Sequence, residues 1–365
     1  MDDPPLSQAA SCVTLVVRLL LLLVGIATLV ALVWRIGPAQ ITGALAGLGP
    51  GSLVLILLPS VLMYGLEAYG WRLTLVAHGG GLNFLRLFAI RAAGEAVNLT
   101  TPVGFVAGEP LKAHLLNRRG VDMVTAMASV VTAKTTMTIS QVAFMLIGVG
   151  VGTWVLSERT SSVEPGILGM ALAVSAGLFF FGTGLILLVQ RRGLFTAALN
   201  VLHRWRIHIR FLDARADKLQ ALDRAILDFY ALNQRAFLLS TGFCFLGWLA
   251  EALEVYVMLV CLGLTVTPPA AFAIAALSVF IKGGTFFIPG SVGAQEGGNV
   301  LLLMTFGYSD VDGMAFALLR RLREIVWIGI GLICLAALRV PSHAPSRLPN
   351  AKCPAPNAGY TLPNA

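Results

Sequence analysis

Residues 286–298 read FFIPGSVGAQEGG, a proline–glycine turn that carries a glutamate inside one of the most apolar regions of the chain. Hydrocarbon is a poor place for either feature. A backbone group without a hydrogen bond is costly there, and a carboxylate more so. Two questions follow: whether the surroundings are membrane, and what else in the chain could cover such a break.

Composition answers the first. The 365 residues are 57% hydrophobic and 12% charged, with a mean hydropathy of +0.82. A soluble domain carries a charged fraction of about 25%. The runs 13–34, 52–71, 123–150, 167–190, 236–263 and 313–338 are each long enough for a hydrocarbon core, which needs roughly 20 helical residues. The expected fold is an all-α polytopic membrane protein with about six full spans plus two re-entrant or broken helical segments. The first run follows Met1-Asp2-Asp3 rather than a basic stretch, so a span is expected there and not a cleaved signal.

Charge sets the expected orientation. The loop 191–235 is rich in arginine, and the tail adds Arg339, Arg347 and Lys352, whereas 151–166 carries Arg159 beside Glu158 and Glu164. The positive-inside rule then places the basic loop and both termini in the cytoplasm. The organisation read from this is a cytoplasmic segment 1–12, a first membrane half 13–150, an external loop 151–166, a second half 167–340 and a disordered tail 341–365. Leu219, Leu222, Ile226 and Phe229 recur at helical spacing inside the basic loop, which predicts an amphipathic helix on the cytoplasmic surface or a helical connector between the halves. Beside spans, basic residues read as a topology signal or an anionic-lipid contact, not as a nucleic-acid surface. Five scattered cysteines and five histidines have no metal-ligand or disulfide spacing, and no cofactor motif appears.

The opening stretch has a counterpart. Pro289 and Glu296 lie 187 positions after Pro102 and Glu109 of NLTTPVGFVAGEPLKAHLL (98–116). The same offset carries Leu66-Glu67-Ala68-Tyr69 onto Leu253-Glu254-Val255-Tyr256, and Lys134 onto Arg321. With the expected topology the two halves run in opposite senses, the layout of inverted-repeat transporters with a site near the midplane. The turns would be Pro102, Gly104 and Gly108 in one half and Pro289, Gly290 and Gly293 in the other. Arms 270–282 and 296–306 are too short to span alone. The segment 83–117 is more polar, with Arg86, Arg91 and Glu95, which allows a position in the cytoplasmic interface.

Ionisable residues within spans are the candidates for function. They are Glu109, Glu296, Lys134, Arg321 and Lys282, with Glu67, Glu254, Arg320, Arg323 and Glu324 behind them. Each of Glu109 and Glu296 opens a helical arm, so capping of exposed N–H groups competes with function at both. Glu67 and Glu254 sit near span ends, where snorkelling is the simple account. Lys134 lies deep in its run and needs a carboxylate or an anionic ligand. The three arginines could reach the outer interface, pair with Glu324 or Glu296, or grip a phosphate.

Asn98, Pro102, Gly108 and Glu109, with Pro289, Gly290, Gly293 and Glu296, resemble the flippase-like transmembrane domain of lysylphosphatidylglycerol synthases, over roughly residues 10–340. FFIPGSVGAQEGGNVLL is most similar to the branch associated with hopanoid biosynthesis. Ala107 and Ser291 stand where that family often has glycine, and Lys112 where it often has arginine. The resemblance implies inverted repeats in a bacterial-type cytoplasmic membrane and movement of lipid between leaflets. The soluble aminoacyl-transfer domain of the synthases is absent, so their reaction does not carry over. The expected function is translocation or export of a polar-headed lipid, hopanoid or other, through a groove lined by Glu109, Glu296, Lys134 and Arg321, with Asn98, Lys112 and Lys282 as further contacts. The expected partners are membrane lipids and enzymes of lipid biosynthesis. The alternatives are a lipid-modifying membrane enzyme and a non-catalytic assembly partner.

Overall fold

The computed structural model describes residues 23, 26–100, 107–159, 177, 184, 216–285 and 288–339, and these are helical with no strand among them. Helix α1 (Ile26–Ile36) meets α2 (Pro38–Ala46) at a bend of 80°. Gly37 sits at φ 103° between them, and Pro38 begins α2 with the fixed φ a first turn favours. Then come α3 (Pro50–Ala77), α4 (Phe84–Thr100), α5 (Gly108–Asn117) and α6 (Met123–Arg159). Helix α7 (Ala216–Leu232) leads into α8 (Gln234–Cys261), α9 (Pro268–Gly284), a single 3-10 turn (Pro289–Ser291), α10 (Ala294–Thr305) and α11 (Asp310–Arg339).

Helices α3, α6 and α8 are long and apolar enough to cross a membrane, and the bent pair α1–α2 is a fourth candidate. They coincide with the runs 52–71, 123–150 and 236–263. The expected run 313–338 lies within the 30 residues of α11. Run 167–190, most of 13–34, the loop 191–215, the tail and the turn residues Pro102 and Gly104 fall outside the described residues.

One order of helices occurs twice. Helices α3, α4, α5 and α6 have 28, 17, 10 and 37 residues, and α8, α9, α10 and α11 have 28, 17, 12 and 30. The long members start alike. Asp122 accepts the N–H groups of Val124 and Thr125 ahead of α6, and Ser309, at the corresponding position, exchanges hydrogen bonds with Asp312 ahead of α11. Packing follows the same exchange: α3 lies along α8, α4 along α11, and α9 along α6.

Small residues permit these approaches. Between apolar helices in lipid no hydrophobic difference drives association, so close backbone contact and hydrogen bonds carry it. A Cβ at Gly148 would stand 2.0 Å from Ala276 Cβ, and one at Gly331 would stand 2.4 Å from the Ala92 carbonyl oxygen. Hydroxyl pairs add polar ties, Thr136 to Ser240 at 2.9 Å and Ser140 to the Thr241 carbonyl at 2.7 Å. Helix α7 turns Leu222, Ile226 and Phe229 onto the first turns of α6, beside Val124, Met127 and Val131. Its apolar face is therefore covered by protein.

Candidate functional site

The broken helical pairs carry charge into the middle of the bundle. Lys134 lies eleven residues beyond Met123, and Arg321 lies eleven beyond Asp310. At 1.5 Å per residue both are about 16 Å along their helices, half of a core roughly 30 Å thick.

Around Lys134, Arg91 of α4 pairs with Glu67 of α3, and both are buried. Lys112 of α5 donates to Glu95 at 2.8 Å and to Glu109 at 3.1 Å. Lys134 approaches Glu109 at 3.7 Å, close enough for an ion pair but beyond hydrogen-bond distance. Asn98 accepts the N–H of Gly108 at 2.7 Å and so joins the end of α4 to the start of α5. Glycine makes this crossing possible. A Cβ at Gly108 would stand 2.2 Å from the Gly94 carbonyl oxygen, and one at Gly94 would stand 2.4 Å from Lys112 Cε. Three carboxylates face three cations.

Around Arg321 the pairing is tighter. Glu296 accepts from Arg321 Nε at 2.7 Å and from the Gly293 N–H at 2.6 Å. Arg321 Nη1 also donates to Glu324 at 2.8 Å and to the Gly290 carbonyl at 2.9 Å. Gly290 and Gly293 have φ of 63° and 80°, which a Cβ disfavours, and that conformation turns the chain so the start of α10 meets α11. Lys282 of α9 pairs with Glu324, and Arg320 with Glu251. Arg323 Nη1 donates at 2.8 Å to both Glu251 and Glu254. Four carboxylates balance four cations. Between the clusters the Tyr64 ring stacks on Trp327 at 3.9 Å, with the Arg91 guanidinium 4.8 Å from its centroid.

Residues 15–332 match the family described as the lysylphosphatidylglycerol synthase TM region. The chain belongs to that family. A relative described as a UPF0104 membrane protein, from Methanothermobacter thermautotrophicus, is 23% identical over 312 residues, covering 80% of this chain and 86% of that protein. Membership in the lysylphosphatidylglycerol synthase transmembrane family, with several spanning helices, gives a multi-pass membrane location and supports a lipid-related role there.

Within this family member, the candidates read from sequence fall into two groups. Glu67, Asn98, Glu109, Lys112 and Lys134 meet in the first cluster, and Glu254, Lys282, Glu296, Arg320, Arg321, Arg323 and Glu324 in the second. Snorkelling does not describe Glu67 and Glu254. Their helices continue past them, and each is sealed against an arginine at 4% and 2% exposure. Arg91 and Glu95, expected toward the interface, stand in the first cluster instead, because α4 packs along α11. Glu251 escaped the sequence reading. Its spacing of three residues from Glu254 puts both on one helix face, a signal that was present.

Proposed function

We propose that this protein moves a polar-headed lipid between the leaflets of the cytoplasmic membrane. The observation that carries the reading is the pair of charge-balanced clusters at half-span depth, in matching registers, each built on a broken helical pair. Ionisable groups at that depth cost about 3 kcal/mol each on insertion scales, so so many of them argue for a task beyond packing.

The reading includes an inverted repeat. The duplicated order of helix lengths supports it, as does a packing scheme in which exchanging the halves maps each contact onto another. It also takes both termini and the basic loop as cytoplasmic, with the halves 13–150 and 167–340 meeting along α3 and α8. The turns near Pro102 and Pro289 then enter from opposite sides. The headgroup would cross through the charged interior while its tails remain in lipid, hopanoids being one class of tail.

The test is reconstitution of the full chain into vesicles with a headgroup-labelled lipid in one leaflet. Faster exchange between leaflets with protein than without supports the reading. An unchanged rate across anionic, zwitterionic and hopanoid lipids overturns it.

A further inference from the structure

The two clusters differ in what they leave free. The first lines a pocket of about 360 Å³, counted to its open mouth, formed by α3, α4, α5, α6 and α8. Three of its lining residues present donors without acceptors among the described residues. Arg91 is 6% exposed and its Nη1 has no hydrogen-bond partner. Trp71 is 4% exposed and its Nε1 has none. The Lys134 side chain is 39% exposed, and its ammonium makes only the 3.7 Å approach to Glu109. A buried donor left unpaired costs about 1–3 kcal/mol, so these groups define a demand for acceptors.

The second cluster is different in kind. Arg321, at the position matching Lys134, has Nε, Nη1 and Nη2 all engaged. The buried atoms without partners there are of both sorts: donors on Arg320 and Arg323, acceptors on Gln295 and Asn299. Donors and acceptors in one place suit water. Donors alone, around an open pocket with a lysine at half-span depth, suit an oxyanion.

We infer that the pocket between Trp71, Arg91 and Lys134 is a binding site for a phosphate-type oxyanion, and that the ligand of this family member bears such a group. The inference rests on the lipid reading above for the source of the oxyanion, though not for the site itself. Glu95 and Glu109 do not oppose it, since Lys112 neutralises their near sides. They provide a second pole, so a headgroup with an amine beyond its phosphate fits as well as a singly charged one. A neutral headgroup would leave the donors unanswered.

The test uses purified full-length protein in detergent and calorimetric titration with three probes: dihexanoyl-phosphatidylglycerol, neutral dihexanoylglycerol and inorganic phosphate. The phosphatidylglycerol is expected to bind, the neutral lipid about tenfold or more weaker. Lys134→Met should remove most of that preference, Lys134→Arg should retain it, and Trp71→Phe, which keeps the ring but loses the donor, should reduce it severalfold. If inorganic phosphate binds in a Lys134-dependent manner and the lipid does not, the oxyanion site stands and the lipid reading falls. Equal binding of the charged and neutral lipids with no phosphate binding, or a Lys134→Met protein that folds and binds like wild type, overturns the inference.

Discussion

Arg321 donates from Nε to Glu296 at 2.7 Å, and the same carboxylate accepts the Gly293 N–H at 2.6 Å, so one side chain joins the start of α10 to α11. Glu109, its match in the other half, is held by Lys112 alone at hydrogen-bond distance among cations, and its side chain is 17% exposed against 2% for Glu296. Two glutamates indistinguishable by register thus do different work.

That difference is measurable. Glu296→Gln leaves Arg321 short of a buried counter-charge and weakens the helix cap, and breaking a buried pair costs about 3–5 kcal/mol. A large fall in the melting temperature of detergent-solubilised protein is expected. Glu109→Gln should melt close to wild type and lose lipid exchange in vesicles. Equal destabilisation by the two substitutions would show that Glu109 is as structural as its match.

Close helix contacts give a second prediction. Gly148 and Gly152 lie one turn apart on α6, and a Cβ on them would meet Ala276 and Ala273 of α9 at 2.0 Å and 3.4 Å. Gly148→Val must push α9 away, and overpacking of this kind costs about 1–3 kcal/mol. Gly150→Val, on the same helix with nothing within 4 Å, is the control. Fluorescence-detected size exclusion should show a shortened thermal half-life for the first variant and none for the second.

These pairs also mark what the sequence made legible. Helix limits were readable because apolar length and Pro or Gly breaks are local properties: run 236–263 appears as Gln234–Cys261, and the arm 270–282 as part of Pro268–Gly284. The 187-residue register put Lys134 and Arg321 at one depth. Partners were not readable. Arg91 meets Glu67 across 24 residues and Arg323 meets Glu251 across 72, and which helices are neighbours is a tertiary fact. The same holds for α7, whose apolar stripe fits a lipid surface or a protein groove equally until α6 is found beneath it.

His78 offers a prediction in pH. It follows the last turn of α3, with Nε2 3.3 Å from Thr132 Oγ1 and its ring 5.0 Å from that of Phe229. Burial pushes its pKa down from 6.5 to about 4. Between those values the unfolded chain binds a proton that the folded chain refuses, so stability falls as pH drops from 6.5 through 4 and is fully present above 6.5. The melting temperature of wild type should decline over that window, and His78→Gln should flatten the decline. An identical slope in both proteins would show that His78 is protonated at no cost in the folded state.

The inverted arrangement predicts which side each connection faces. Gly81 lies in the turn between α3 and α4, and Thr265 in the matching turn between α8 and α9; both are exposed. If the halves were parallel, the two turns would lie on one side of the membrane. If they are inverted, as opposite helix senses with re-entrant α4–α5 and α9–α10 pairs require, the turns lie on opposite sides. Single cysteines, Gly81→Cys and Thr265→Cys, introduced into a chain whose own cysteines are replaced, distinguish the cases with a membrane-impermeant maleimide. In right-side-out vesicles Thr265→Cys should label and Gly81→Cys should not, and inside-out vesicles should reverse the result. Labelling of both from one side would remove the inverted repeat. The two charge clusters would then lose their relation by symmetry, although each would keep its own pairing.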